Sequence, residues 1–332
     1  IRIETEALAA YAQLTYHVSD DFRLTGGLRY SDESKDGNQQ PVSAFFADNI
    51  DLLGNLIQPN IATVKTDKVD VAAIVEYDVA EDVMLYASYK TAYRAGGFNA
   101  TAIAPRIMGE TFGADFVFGR EDLTSYEAGI KSTFGGNLRL NAAGFYYDFK
   151  DQQTTTGTDP LIATLRKVVN TDEEVWGFEV DGQYAVNDNL TLNASYSFID
   201  GDAGDVINGV TNQLQVRDEL QGTPKNSFLV GFDYNQPLAS GKSLFANANY
   251  SYKDDVLSIP ENALRLTTRN LVNGRIGLNF ETDKGNDAYI AVYGQNLLDD
   301  KYTIDSLPFE TFARRTVVYG QPRTYGVMAG YK

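Results

Sequence analysis

Few side chains in this sequence have the type and spacing that catalysis needs. His17 is the single histidine, so a His-Glu-x-x-His zinc site is impossible. A Ser-His-Asp triad would have to assemble around the end of one strand. Gly241-Lys242-Ser243 looks like the end of a phosphate-binding loop, but Gln236 stands where that motif requires glycine. Asp200, Asp202 and Asp205 offer carboxylates to a hard cation, yet Gly204 breaks the spacing of a calcium loop, which favours a solvated acidic loop. The pairs Asp254-Asp255 and Asp299-Asp300, and the run Asp172-Glu173-Glu174, flank segment ends, and nothing assigns them acid and base roles. Cysteine is absent, which removes thiol nucleophiles, zinc thiolates, iron–sulfur clusters and disulfides. The expectation is no catalytic residue, no metal centre and no cofactor.

Binding chemistry is better represented. Long polar segments carry Phe98, Asn99, Phe112, Phe116, Phe118, Arg106, Arg120, Arg166, Lys167, Arg217, Arg265, Arg314, Arg315 and Tyr319, and aromatic plus arginine is the composition of recognition surfaces. The candidate ligand-binding set is Arg94, Phe98, Asn99, Arg120, Arg166, Arg217, Arg314, Arg315 and Tyr319. The chain has 28 Lys and Arg against 45 Asp and Glu, a formal net charge of -17 over 332 residues. Such an excess of acid excludes nucleic acid as a partner, because phosphate binding needs clustered cations.

These residues sit between strands. Period-2 alternation recurs along the chain: Leu190, Leu192, Ala194, Tyr196 and Phe198 alternate with Thr191, Asn193, Ser195 and Ser197. Val69, Val71, Ala73, Val75 and Tyr77 do the same, as do Phe178, Val180, Gly182 and Tyr184, and finally Tyr325, Val327, Ala329 and Tyr331. The pattern predicts strands at 7–17, 23–34, 67–78, 84–95, 122–133, 138–149, 173–186, 190–200, 224–236, 243–254, 269–281, 288–298 and 322–332. Short polar turns such as Ala80-Glu81-Asp82, Gly135-Gly136-Asn137, Asn187-Asp188-Asn189 and Asp283-Lys284-Gly285-Asn286 join strands in pairs. Much longer connections, at 35–66, 96–121, 150–172, 201–222, 255–268 and 299–321, separate the pairs.

Strict alternation of short turns with long loops identifies the class. A soluble sandwich has no reason to sort its loops by parity, whereas an outer-membrane barrel has short periplasmic turns and long extracellular loops. No apolar run reaches the roughly 18 residues of a membrane helix, but each strand has the length of a tilted membrane-crossing strand. Leu, Val, Ala, Phe and Tyr of one face are then expected to meet lipid. The other face, with Arg29, Arg94, Glu127, Lys131, Arg139, Glu179, Asp181 and Arg275, is expected to line a lumen. By parity the last strand descends to the periplasm and so does the first. An odd number of antiparallel strands, here about thirteen, cannot close on itself with proper pairing, which predicts an incomplete barrel. On this reading Arg94 stands inward at the extracellular mouth, and Arg323 stands outward at the rim, within reach of lipopolysaccharide phosphates.

Four segments resemble a known family. Met84-Leu85-Tyr86-Ala87-Ser88-Tyr89-Lys90-Thr91-Ala92-Tyr93-Arg94-Ala95-Gly96-Gly97-Phe98-Asn99 is similar to the strand-to-loop segment of TonB-dependent receptors. Trp176-Gly177-Phe178-Glu179-Val180-Asp181-Gly182 resembles their recurring Gly-aliphatic-Glu strand. Gln295-Asn296-Leu297-Leu298-Asp299-Asp300-Lys301-Tyr302 resembles their Asn-Leu-Phe-Asp-Lys-Tyr box, and Pro322-Arg323-Thr324-Tyr325-Gly326 onward resembles their closing strand. The resemblance implies a 22-stranded outer-membrane barrel with an N-terminal plug, coupled to the TonB energy complex through a segment outside this chain. It also implies uptake of a scarce solute such as a ferric siderophore. All of 1–332 is then the C-terminal portion of one barrel domain. Family members usually end in an aromatic residue; here the next outward position falls just beyond Lys332. The alternatives are a passive porin-like channel and a protein that binds partners through its surface loops.

Overall fold

Alternating sequences make strands because each pleated residue turns its side chain to the face opposite its neighbours'. The structure, a computed structural model, describes residues 1–39, 60–99, 116–157, 166–207, 213–259, 264–281, 287–309 and 314–331. The chain begins with β1 (Arg2–His17), β2 (Phe22–Gln39), β3 (Asn60–Ala80) and β4 (Val83–Arg94). Two short strands, β5 (Gly97–Phe98) and β6 (Val117–Phe118), precede β7 (Glu121–Phe134), β8 (Leu138–Gly157), β9 (Arg166–Asn187) and β10 (Leu190–Ala203). After β11 (Val206–Ile207) and β12 (Leu214–Gln215) come β13 (Asn226–Pro237) and β14 (Lys242–Lys253). Then follow β15 (Val256–Ile259), β16 (Leu264–Leu266), β17 (Arg269–Glu281) and β18 (Asp287–Gln295). The chain finishes with β19 (Thr303–Phe309), β20 (Arg314–Tyr319) and β21 (Thr324–Tyr331).

Thirteen of these strands form one antiparallel sheet in chain order, and the short ones pair two by two inside the long connections. All short turns lie at one end of the sheet, the turn end, and all long connections at the other, the loop end. Turn chemistry is local. Gly135 and Gly136 take positive φ (57° and 73°), and Ser240 and Gly241 do likewise (64° and 68°). The Asn187 side chain accepts from the Asn189 and Leu190 amides at 2.9 and 3.0 Å, closing an Asx turn. The segment Asp283-Lys284-Gly285-Asn286 lies outside the described residues, as do Arg106, Phe112 and Lys332.

The register carries each face across the sheet without a break. Phe22, Tyr77, Leu85, Ile130, Ala142, Val180, Tyr196 and Phe228 stand opposite one another in a single row. Asp78, Met84, Lys131, Asn141, Asp181 and Ser195 form a row on the other face. One residue of slip would exchange the two sets. Toward the loop end the apolar face carries linked aromatic pairs: Tyr89–Tyr126, Tyr126–Tyr146, Trp176–Phe198 and Phe228–Tyr250, with centroids 5.3–6.3 Å apart. Away from the sheet edges, Leu28 and Val292 on this face are 59% and 53% exposed. Leaving such a leucine in water forgoes about 2 kcal/mol of burial, so a face of this extent needs an apolar surrounding.

The strands run further than periodicity indicates. The β2–β3 ladder continues to Gln39 opposite Asn60, and β8–β9 continues to Gly157 opposite Arg166. Parts of the connections expected at 35–66 and 150–172 are therefore paired strand. Alternation is lost there because the strands no longer separate two solvents, and the β8–β9 register shifts between Phe149 and Gln152, where Asp151 has φ 54°. In the opposite direction, β18 stops at Gln295, three residues before the expected 298. Asn296 and Asp299 adopt φ 48° and 56°, which strand geometry does not allow. Buried apolar side chains are few and mostly gather in the loop-end layer, where Phe98 and Phe116 pack with Ala62 and Val64.

Candidate functional site

Among the described residues, side-chain contacts link the bases of the long connections at the loop end of the sheet. Phe98 and Phe116 stack at 5.0 Å on the β5–β6 hairpin. The bend entering that hairpin needs Gly96, since a Cβ there would stand 2.5 Å from the Phe118 carbonyl oxygen. Asn99 bridges to β9, its Nδ2 donating to the Val168 carbonyl at 3.0 Å and its Oδ1 accepting from the Val168 amide at 2.7 Å. Gln153 Nε2 donates to the Ala95 and Gly119 carbonyls at 3.0 and 3.1 Å, and Asn170 closes the same corner against Gly119 and Asp151. Side-chain amides thus supply the partners that these irregular backbones lack.

A second group of connections is clasped by Arg265 on β16. Its guanidinium donates to both Glu219 carboxylate oxygens at 2.6 and 2.8 Å and also to Asp255. The two carboxylates hold Arg265 protonated well beyond its ordinary range, the Glu219 hydrogen bonds being the larger cause. Thr267 and Thr303 exchange reciprocal amide–hydroxyl bonds at 2.9 and 3.0 Å, tying this group to β19. Arg217 joins the two groups. Its side chain is 3% exposed and donates to Thr154 Oγ1 at 3.1 Å, 4.0 Å from the Glu173 carboxylate. Near by, beyond the aromatic row, Asp172 accepts from the Asp151 amide and pairs with Lys150; both hold its carboxyl below the usual carboxylate range.

The candidate residues divide accordingly. Phe98, Asn99 and Arg217 are committed to packing the layer. Arg120 pairs with Asp122 at 3.0 Å, and Arg166 donates to the Thr155 carbonyl at 3.0 Å. Arg94 stands on the polar face at the loop end with its side chain 65% exposed, 3.5 Å from Glu121. Tyr319 is 65% exposed. Arg314 and Arg315 lie on β20 opposite Phe309 and Pro308. Arg323 is 3.6 Å from Asp299, so this rim cation already has a carboxylate. Glu173, read from sequence as part of a solvated run, is 11% exposed and accepts from Gln152 at 2.9 Å. Sequence reasoning passed over Gln153, Asn170 and Glu219, whose contacts lie 19 to 58 residues away and leave no local pattern.

The box Gln295–Tyr302 folds as a corner. Asn296, 3% exposed, donates to the Asp300 and Gln321 carbonyls at 2.9 and 3.0 Å and accepts from the Asp300 amide at 2.9 Å. Asn273 and Asp299 complete it by accepting from the Asn296 and Arg323 amides.

With this geometry in place, comparison with known proteins is informative. Residues 1–309 match the family model described as TonB dependent receptor-like, beta-barrel. The pesticin receptors of Yersinia enterocolitica and Yersinia pestis are 29% identical over 192 residues, 56% of this chain and 26% of theirs. The crystal structure of the ferric yersiniabactin uptake receptor of Yersinia pestis superposes with TM-score 0.75 at 19% identity, covering 98% of this chain and 45% of that one. The siderophore receptor PiuA of Acinetobacter baumannii gives TM-score 0.70 at 20% identity, covering 98% and 43%. The ferric citrate transporter FecA gives 0.68 at 19%, covering 98% and 45%. The chain spans about a quarter of the curated relatives and under half of these structures.

Proposed function

The chain belongs to the TonB-dependent receptor β-barrel family, and from that premise we propose that it is the C-terminal wall of an outer-membrane receptor importing a scarce solute, a ferric siderophore being the favoured class. The single observation that carries this reading is the pairing of an unbroken thirteen-strand sheet, one face apolar and one charged, with a loop layer locked by long-range contacts. The apolar face meets lipid, the polar face meets the lumen and the loop end is extracellular. A plug and the remaining strands, supplied by sequence outside this chain, complete a 22-stranded barrel. The relatives named for ferric yersiniabactin and ferric citrate support the substrate class.

On this reading the loop layer is a preorganised frame: the buried amide and arginine contacts fix the loops, and Arg94 and Tyr319 are left exposed to meet ligand. Preorganisation lowers the ordering cost of capture. Energy for release comes through TonB acting on the plug, and lipopolysaccharide surrounds the outer rim. The experiment is growth of an iron-starved Gram-negative strain lacking its own receptors, expressing the full-length protein, on a panel of ferric chelates. Rescue by at least one chelate, abolished by deleting tonB, supports the reading. Rescue independent of tonB indicates a passive channel, and no rescue by any chelate overturns iron uptake.

A further inference from the structure

The connection between β4 and β7 does not stand clear of its neighbours. Where it leaves β4, Ala95, Gly96, Gly97, Phe98 and Asn99 are all buried, and Phe116 on the returning side is 4% exposed. Its own pairing is brief: Gly97 faces Phe118, Phe98 faces Val117, and the Asn99 amide donates to the Phe116 carbonyl at 2.8 Å. So short a hairpin is not stable alone. Its place is set by what it touches, and it touches a different wall on each side.

On the β2–β3 side the contact is apolar. The stacked Phe98 and Phe116 rings pack on Ala62 and Val64. Phe98 also lies over Gly37, where a Cβ would stand 2.7 Å from its ring, so only glycine fits this seat. Lys35 Nζ donates to the Gly96 carbonyl at 3.1 Å beside it. The register puts Gly37 opposite Ala62 and Lys35 opposite Val64, on the face that carries Arg29 and Asp70 lower down. The hairpin therefore folds over the polar face, which the uptake reading turns to the lumen. On the β8–β9 side the contact is made by amides. Asn99 Nδ2 donates to the Val168 carbonyl at 3.0 Å while its Oδ1 accepts from the Val168 amide at 2.7 Å. Asn170 returns the arrangement, accepting from the Gly119 amide at 2.7 Å and donating to the Gly119 carbonyl at 3.2 Å. Each asparagine thus pairs with both backbone groups of one facing residue, as a neighbouring strand would. None of these contacts involves the edge strands β1 and β21.

We infer that the β5–β6 hairpin is a strap that fastens the β2–β3, β4–β7 and β8–β9 connections into one cooperative unit, which opens only as a whole. The Phe98 ring can leave the Gly37 seat only if the hairpin moves, and that movement breaks both asparagine pairs. Packed contacts of this kind have discrete arrangements and do not yield by degrees, and local opening in proteins follows such units. A strap held at both ends fixes the outline of the mouth on this side before any solute arrives.

The test is native-state hydrogen exchange on the full-length receptor in detergent, read by mass spectrometry over 35–39, 60–66, 96–99, 116–119 and 166–171. Phe98→Ala cuts the apolar seat and leaves both asparagines in place, whereas Asn99→Ala cuts the amide side and leaves the aromatic pair. Either change should speed exchange roughly tenfold or more in all of these segments together, since truncating a buried aromatic costs more than that factor requires. Amides at the turn end of β4 and β7 should keep parent rates. Gly37→Val should loosen the same segments from the opposite wall. Adding Phe98→Ala to Gly37→Val should cost no more than Phe98→Ala alone, because the valine fills the vacated seat; additive costs would overturn the seat. Faster exchange confined to the side that was cut, with parent rates on the other, would overturn the unit and leave independent connections. The milder Phe98→Leu and Asn99→Asp should show the same spread at smaller amplitude, and they decide the matter if a larger change prevents insertion. No ligand enters these measurements, so a parent that imports no ferric chelate would overturn the uptake reading and leave the strap standing.

Discussion

Replacing Asn296 by alanine tests whether the Gln295–Tyr302 box is a structural corner. The side chain satisfies three backbone groups, the Asp300 carbonyl and amide and the Gln321 carbonyl, in a place where the residue is 3% exposed. Orphaning each costs about 1 kcal/mol or somewhat more. Alanine at φ 48° adds about 1 kcal/mol that asparagine tolerates better. The sum is about 3–5 kcal/mol. Asn296→Gly relieves the backbone and should recover about 1 kcal/mol of that loss. Asn296→Asp keeps the acceptor but loses both donors, and should fall between parent and alanine. Urea unfolding of the full-length receptor in detergent reads the magnitude, and limited trypsin digestion reads the local effect on β19–β20, which hangs from the corner. An alanine variant within about 0.5 kcal/mol of the parent, with an unchanged digestion pattern, would refute the reasoning.

Three further outcomes are expected. Arg94→Ala should weaken capture of an anionic ligand roughly 10- to 100-fold, since one charge-assisted contact is worth about 1.5–3 kcal/mol; equal affinity in a correctly inserted variant would make Arg94 structural. Ala194→Arg, on the apolar face midway along the alternating part of β10, should cost about 2–4 kcal/mol of barrel stability, while Ser195→Arg on the polar face should be tolerated; equal effects would contradict the face assignment. Because its carboxyl sits below the ordinary range in the folded state, Asp172 adds stability that is complete above the free-aspartate value, about 3.9, and fades as pH falls through the lower folded value. The hydrogen-exchange protection factor at the β8–β9 bulge, after correction for the intrinsic pH dependence of amide exchange, should therefore stay constant from neutral pH down to about 4 and fall only below it.

Most of the sheet was legible in the sequence because alternation is enforced at every position that separates an apolar from a polar environment. The thirteen strands and the face assignments of Arg29, Glu127, Lys131, Glu179, Asp181 and Arg275 all follow from period 2, and the register bears them out. The signal fails where that separation ends. The paired extensions at 35–39 and 60–66, and from Gln152 to Gly157, face similar surroundings on both sides, so no alternation marks them. The end of β18 was missed because a positive φ at Asn296 is a property of one corner and not of a pattern. The candidate surface was legible in composition only. Arginine and aromatic residues in long loops were visible, but which of them pack and which stay exposed depends on contacts such as Asn99 with Val168 and Arg217 with Thr154, more than 60 residues apart.

Energy-coupled import is the central claim, and one measurement tests it most directly: uptake of a radioiron-labelled ferric chelate by cells expressing the full-length receptor, before and after collapse of the proton-motive force. The expected result is saturable uptake that stops on collapse, or in a strain without TonB, while ligand still binds to the cell surface. Uptake that continues unchanged without TonB or a proton-motive force, rising linearly with concentration, would contradict the claim and leave an open channel in its place.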